Sequence, residues 1–223
     1  KRERLHGAVV AVPQYLHAQV SIDALDAGLH TFCEKPMAMN VAQCARMIAA
    51  AERNGKGLMI GQVLQYMGHY RYVLERIRSG EFGRPLAMRC IRSSSRFGSW
   101  LRPWRQKEAT SGGALLEINA HELDLMLRVL GPAAAVSAIG KHFANDEVDF
   151  EDFVAIHLTF ANGGLGSFVS VQWDHIGRNS AEVFLEKGTI YYDSVSRAVY
   201  LAADGQECQS IPYANIHPEW ENG

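Results

Sequence analysis

The first third of the chain carries short, unbroken apolar runs rather than alternating ones. Gly7-Ala8-Val9-Val10-Ala11-Val12 is closed by Pro13. His30-Thr31-Phe32-Cys33 is closed by Glu34-Lys35-Pro36, and Leu58-Met59-Ile60-Gly61 follows. Continuous apolar strands are the mark of a parallel sheet covered on both faces. Between them lie stretches with helical spacing. Residues 15–28 place Leu16, Val20, Ile22 and Leu25 toward one side, and Gly28 is a stop signal. Asn40 is a good N-cap for a helix over 41–53 with Val41, Cys44, Ile48 and Ala49 inward, ended by Asn54-Gly55. Strand, helix, strand, helix, strand at this spacing predicts right-handed parallel crossovers, hence an α/β domain.

The pattern changes near Gly61. A polar helix is expected over 68–79, an extended strand over 85–96, a long loop over 97–111, and one helix over 113–130 that stops at Gly131-Pro132. Strand-like segments then recur at 135–142, 150–160, 165–173, 181–186, 189–192 and 198–201, joined by turns such as Asn162-Gly163-Gly164 and Lys187-Gly188. Hairpin-linked strands after a helix predict an α+β domain with a large, mostly antiparallel sheet and helices on one face. The expected division is residues 1–61 and 62–223.

Composition narrows the classes. With 48% hydrophobic and 21% charged residues the chain reads as a globular protein, and its formal charge of −2 gives no footprint for nucleic acid. No apolar run is long enough to span a bilayer. The four cysteines form no C-x-x-C pair, and Cys33 and Cys44 lie in apolar segments, so buried thiols in a reducing, cytoplasmic setting are expected.

Two stretches carry candidate chemistry. A strand that ends at Glu34-Lys35-Pro36 delivers an acid and a cation to the carboxyl edge of the sheet, where open α/β sheets bind ligands. The second stretch is Gly112-Gly113-Ala114-Leu115-Leu116-Glu117-Ile118-Asn119-Ala120-His121-Glu122-Leu123-Asp124. On one helix Glu117, His121 and Asp124 would share a face, and an acid one turn from an imidazole suits general acid–base work. A metal site is the weaker reading, because Leu125 stands where H-E-x-x-H needs its second histidine. No G-x-G-x-x-G occurs; Gly55-Lys56-Gly57-Leu58-Met59-Ile60-Gly61 is one residue too long and precedes a strand. In the loop, Trp104 and Arg105 are candidate substrate contacts, although such residues more often pack.

Together these segments resemble the Gfo/Idh/MocA family of NAD(P)-dependent oxidoreductases, which includes inositol dehydrogenases and glucose–fructose oxidoreductase. Residues 24–36, ending in Glu34-Lys35-Pro36, are similar to its A-L-x-A-G-K-H-V-x-x-E-K-P block, and residues 9–17 to its T-P-x-x-x-H turn, with Val12 in place of Thr. Ser79-Gly80-Glu81-Phe82-Gly83 resembles its S-G-x-x-G turn, residues 112–124 its G-G-x-L-x-D-x-G-x-H-x-x-D helix, and residues 160–167 its F-x-N-G hairpin. The resemblance implies the latter part of a Rossmann-type sheet, without the first strand–helix units and their phosphate-binding glycines, followed by the α+β domain. Nor is the family's final helical segment found before Gly223.

It also implies roles. Lys35 and His121 would be catalytic: His121 takes the proton from a substrate hydroxyl, Lys35 holds that oxygen, and hydride passes to NAD or NADP. Glu117, where Asp is usual, would assist. Pro13, His17, Glu34, Lys35 and Pro36 would border the cofactor, and Trp104, Arg105, Asn119 and His121 the substrate, a sugar, cyclitol or related polyol. Asn119 stands where glycine is usual. A homo-oligomer, dimer or tetramer, is expected, with no metal, nucleic acid or membrane. Two alternatives stay open: a non-catalytic nucleotide- or sugar-binding regulator, and a lyase or hydrolase working through a transient keto intermediate.

Overall fold

The computed structural model describes residues 4–95 and 102–216. They form two compact units. The first takes the chain as far as Gln62, residues 102–120 and Val148–Phe150; the second takes residues 63–95, His121–Glu147 and residues 151–216.

The first unit opens with β1 (Gly7–Val10), α1 (His17–Asp26), β2 (His30–Glu34), α2 (Val41–Asn54) and β3 (Leu58–Gly61). The strands make a parallel sheet in the order β1-β2-β3, with Val10 opposite Cys33 and Glu34 opposite Gly61. Helix α2 starts where Asn40 Oδ1 accepts the Gln43 N–H at 2.9 Å, and ends at Gly55, whose φ of 58° suits glycine. Val10, Ala18, Cys33, Ala38 and Met47 form one core cluster, with Leu25, Ala50 and Ala51 beside it.

The buried helix faces differ from those read off the spacing. In α2 the buried residues are Met47, Ala50 and Ala51, whereas Val41 and Ile48 are exposed. In α1 His17, Ala18, Ser21 and Leu25 are buried and Leu16 is not. The inward stripes mix small residues (Ala18, Ser21, Ala50, Ala51) with Leu25 and Met47, while Val20, Ile22 and Cys44 pack against the core from its margin. On the strands, Val9 and Met59 are exposed.

After β3 the chain enters the second unit with α3 (Gly68–Arg78) and β4 (Pro85–Ser93). It returns to the first for α4 (Glu108–Ser111) and α5 (Gly113–Glu117), preceded by a 3₁₀ turn at Pro103–Gln106. The described part of the expected 97–111 loop is therefore largely helical turns. Next come α6 (Ala120–Leu130), β5 (Ala133–Lys141), β6 (Phe153–Phe160), β7 (Leu165–Val171), β8 (Arg178–Leu185), β9 (Gly188–Asp193), β10 (Ala198–Ala203) and β11 (Gln209–Pro212). They build an eight-stranded sheet, β11-β10-β9-β8-β4-β7-β6-β5, antiparallel except where β4 pairs with β7. In β7 Gly166, Phe168 and Ser170 are buried and their neighbours less so, the alternation of a sheet covered on one face. A Cβ on Gly166 would lie 2.4 Å from Met126 Cε and 3.0 Å from Phe160 Cε2, so these two side chains fill the space over the glycine.

The single helix expected over 113–130 is interrupted. Ile118 and Asn119 are a turn, with both N–H groups bonded to the Ala114 carbonyl, and α6 begins afresh at Ala120. The i, i+4 argument that put Glu117 and His121 on one helix face therefore does not hold. Asparagine competes for backbone hydrogen bonds and tolerates such a break better than most residues.

Candidate active site

The site grows from the carboxyl ends of β1 and β2. Past β1, Pro13 leads into a 3₁₀ turn, Gln14–Leu16, before His17 opens α1. His17 is buried, with Nδ1 2.7 Å from the Pro36 carbonyl and Nε2 2.9 Å from the Val12 carbonyl. One imidazole thus ties the exit of β1 to the exit of β2. Past β2 the Lys35–Pro36 bond is cis.

Lys35 is anchored. Its ammonium donates to the Glu117 carbonyl, at the end of α5, where the last carbonyls of a helix lack intrahelical donors. The Glu117 carboxylate is nearly sealed and lies 3.3 Å from Arg105 Nε. The Arg105 guanidinium in turn sits over the Trp104 ring, 5.1 Å from its centroid. Gln14 is buried, and its amide donates to the Ser111 carbonyl. Gly61 keeps the end of β2 open, since a Cβ there would lie 3.0 Å from Phe32 Cζ and 3.2 Å from Glu34 Oε2.

These groups border a cavity of about 530 Å³ lined by Ala11, Val12, Pro13, Gln14, His17, Glu34, Lys35, Arg102, Trp104, Arg105 and Glu117. Of the residues proposed from sequence, Pro13, His17, Glu34, Lys35, Trp104, Arg105 and Glu117 meet here. Pro36 contributes its carbonyl to His17 without lining the cavity. Asn119 is fully buried and does not line the cavity, and neither amide atom has a hydrogen-bond partner among the described residues. His121 belongs to the second unit, where it is half-buried on α6. Sequence reasoning missed Gln14 and Arg102. The signal for Gln14 was its place beside Pro13 at the strand exit. Among the described residues no group of three or more His, Cys, Asp or Glu side chains could hold a metal ion.

Residues 1–62 match the "Oxidoreductase family, NAD-binding Rossmann fold", and residues 70–191 match the "GFO/IDH/MocA C-terminal domain". The chain belongs to the Gfo/Idh/MocA family. A relative from Amycolatopsis mediterranei, provisionally named a UDP-kanosamine synthase oxidoreductase subunit, is 39% identical over 222 residues, 97% of this chain and 56% of the relative. A 2,7-anhydro-N-acetylneuraminate hydratase from Mediterraneibacter gnavus is 26% identical over 213 residues, 92% of this chain and 56% of the relative. The solved WlbA dehydrogenase from Bordetella pertussis, in complex with NADH and UDP-GlcNAcA, superposes with a TM-score of 0.85 at 24% identity, covering 92% of this chain and 61% of that one. That likeness shows the shared fold. The chain spans a little over half the length of these proteins. No helix among the described residues is long and apolar enough to cross a membrane.

Proposed function

We propose that the chain carries part of the active centre of a dehydrogenase that moves a hydride between NAD or NADP and a secondary alcohol of a sugar, cyclitol or related polyol. The observation that carries this reading is Lys35, held at the carboxyl end of a parallel strand by the Glu117 carbonyl, beside a cavity bordered by His17, Glu34 and Glu117. The lining fits the nicotinamide–ribose part of a dinucleotide. Ala11, Val12 and Pro13 form an apolar wall for a flat ring, and the Glu34 carboxylate can accept from ribose hydroxyls. A bound nicotinamide supplies a hydride acceptor.

The chain's own residues do the rest. An alcohol gives up hydride easily only as its O–H proton leaves. On sequence grounds His121 takes that proton, and Lys35 stabilises the oxygen that bears the charge. The Glu117–Arg105 pair holds the carbonyl that Lys35 uses. The 39% identical relative favours a sugar joined to a nucleotide as substrate. The expected homo-oligomer has a face available in the second unit, where a groove of about 500 Å³ on the open side of the sheet is lined by Leu165, Phe184 and Val136 among others.

The test is a panel of free and UDP-linked sugars and polyols with NAD and with NADP, followed by absorbance of the reduced cofactor. Lys35→Ala and His121→Ala are each expected to lower turnover at least about 100-fold while cofactor still binds. Near-normal rates in both would sink the mechanism. The hydratase relative favours a second reading, in which oxidation is transient and bond cleavage follows. Product release with no net reduction of cofactor would select it.

A further inference from the structure

The second unit holds an open cleft of about 930 Å³, built where the end of β4, the start of β8 and the β9–β10 turn meet. A web of hydrogen bonds fixes its frame. Ser93 Oγ donates to Asp174 at 2.5 Å and accepts the Arg178 N–H at 3.0 Å, while Ser194 Oγ accepts the Asn179 N–H at 2.8 Å. Asn179 Nδ2 donates to the buried Tyr70 hydroxyl at 2.7 Å. The turn itself is pinned through the Arg197 carbonyl, which accepts the Tyr213 N–H at 2.8 Å.

Three guanidinium groups line this frame, those of Arg92, Arg178 and Arg197; the nearby carboxylates are Asp174, which accepts from Ser93, and Asp193, which accepts the Val195 and Ser196 N–H groups in the turn. Arg92 is committed to Glu122 at 3.2 Å. Arg178 meets Asp174 only at 4.0 Å, and Arg197 makes no ion pair among the described residues. Arg197 also sits at a φ of 51°, a conformation that glycine or asparagine adopts at less cost. Burial, and after it the charge of Arg197, pushes the His69 imidazole down to about 4, so the ring is uncharged at neutral pH and adds no charge of its own. His69 lies flat against Tyr213, with centroids 4.3 Å apart and planes 9° apart, and the exposed Tyr66 lines the same cleft. Planar groups beside under-neutralised arginines are the makings of a nucleotide site: guanidinium forks match phosphate oxygens, and aromatic faces take a base.

We propose that this cleft binds the pyrophosphate and base of a nucleotide-linked sugar, with Arg178 and Arg197 on the phosphates. The inference rests on the dehydrogenase reading above and names the nucleotide that its substrate would carry. The test is calorimetric titration of the full chain with UDP, with UMP and inorganic pyrophosphate as separate arms. UDP is expected to bind more tightly than either, because only UDP offers both parts. Arg178→Ala and Arg197→Ala should each weaken UDP about tenfold, the loss of one charge-assisted contact, with unchanged melting temperature. Higher salt should weaken the wild type more than the double variant. No binding of UDP, or equal affinity in wild type and double variant, overturns the proposal. Reduction of cofactor by a free sugar in a protein that ignores UDP removes this site and leaves the dehydrogenase reading standing. Arginine-dependent UDP binding without turnover of any sugar does the reverse.

Discussion

Glu117 and Glu122 are two buried glutamates close in sequence, each paired with an arginine, and their surroundings differ. Glu122 is fully buried and lies 3.2 Å from Arg92, whose side chain keeps 30% of its exposure. Around it are phenols and a thiol. Burial, and after it the Glu122 charge, pushes the Tyr70 hydroxyl up to about 12, and the same two causes raise the Cys90 thiol. Glu117 is 6% exposed and lies 3.3 Å from Arg105, but it borders a cavity and its carbonyl holds Lys35. The ion-pair chemistry is the same, while access to a ligand is not. The first pair lies in the interior of the second unit; the second lies at the cavity of the first, beside Lys35.

The largest expected effect follows from that contrast. Glu122→Ala leaves Arg92 without its partner over an apolar interior. Breaking a fully buried pair costs 3–5 kcal/mol, and the partial exposure of Arg92 reduces this to about 3 kcal/mol. Urea unfolding measures it. A loss under about 1 kcal/mol would put the pair in the class of exposed ion pairs and remove half of the comparison.

Glu117→Gln should behave differently. The amide oxygen can still accept from Arg105, so the expected stability loss is about 1 kcal/mol. Turnover should fall about tenfold, because the group that steadies Arg105 and the α5 terminus supports Lys35 without reacting itself. If the substitution lowers stability as much as Glu122→Ala and leaves turnover alone, the roles assigned to the two pairs are reversed.

How these residues were legible from sequence follows the same division. The β2 exit at Glu34-Lys35-Pro36 could be read because an apolar run closed by charges and proline has few other interpretations. The α2 start was readable from Asn40 for a similarly local reason. The break at Ile118-Asn119 was not, because the apolar positions Leu115, Leu116, Leu123 and Leu125 continue through it and only one poor helix former interrupts them. Glu122 entered the sequence reading only beside His121, as part of an incomplete H-E-x-x-H; its pairing needs Arg92 from a distant strand. The inward faces of α1 and α2 were legible in part: Leu25 is buried and Val20, Ile22 and Cys44 pack against the core, whereas Leu16, Val41 and Ile48 are exposed and Ala18, Ser21, Met47, Ala50 and Ala51 are buried instead. Strand β11, Gln209-Ser210-Ile211-Pro212, carries too little apolar pattern to be seen.

A third carboxylate sharpens the comparison, with the smallest expected effect. Asp152 is buried and satisfied by backbone rather than by arginine: it accepts the N–H groups of Phe143, Ala144 and Asn145, each at 2.7 Å. Burial pushes its pKa up, but the three N–H groups together outweigh that and hold it below the usual carboxylate value. The unfolded chain therefore binds this proton more readily than the folded one. Its contribution is complete above the ordinary carboxyl pKa and disappears as pH falls through the lowered folded value. Asp152→Asn should cost about 1 kcal/mol at neutral pH, where the charge is present, and progressively less as the solution is acidified below about pH 4. Urea midpoints of wild type and variant should thus converge in acid. Curves that stay parallel at every pH would mean that the three N–H groups do not favour the charged form.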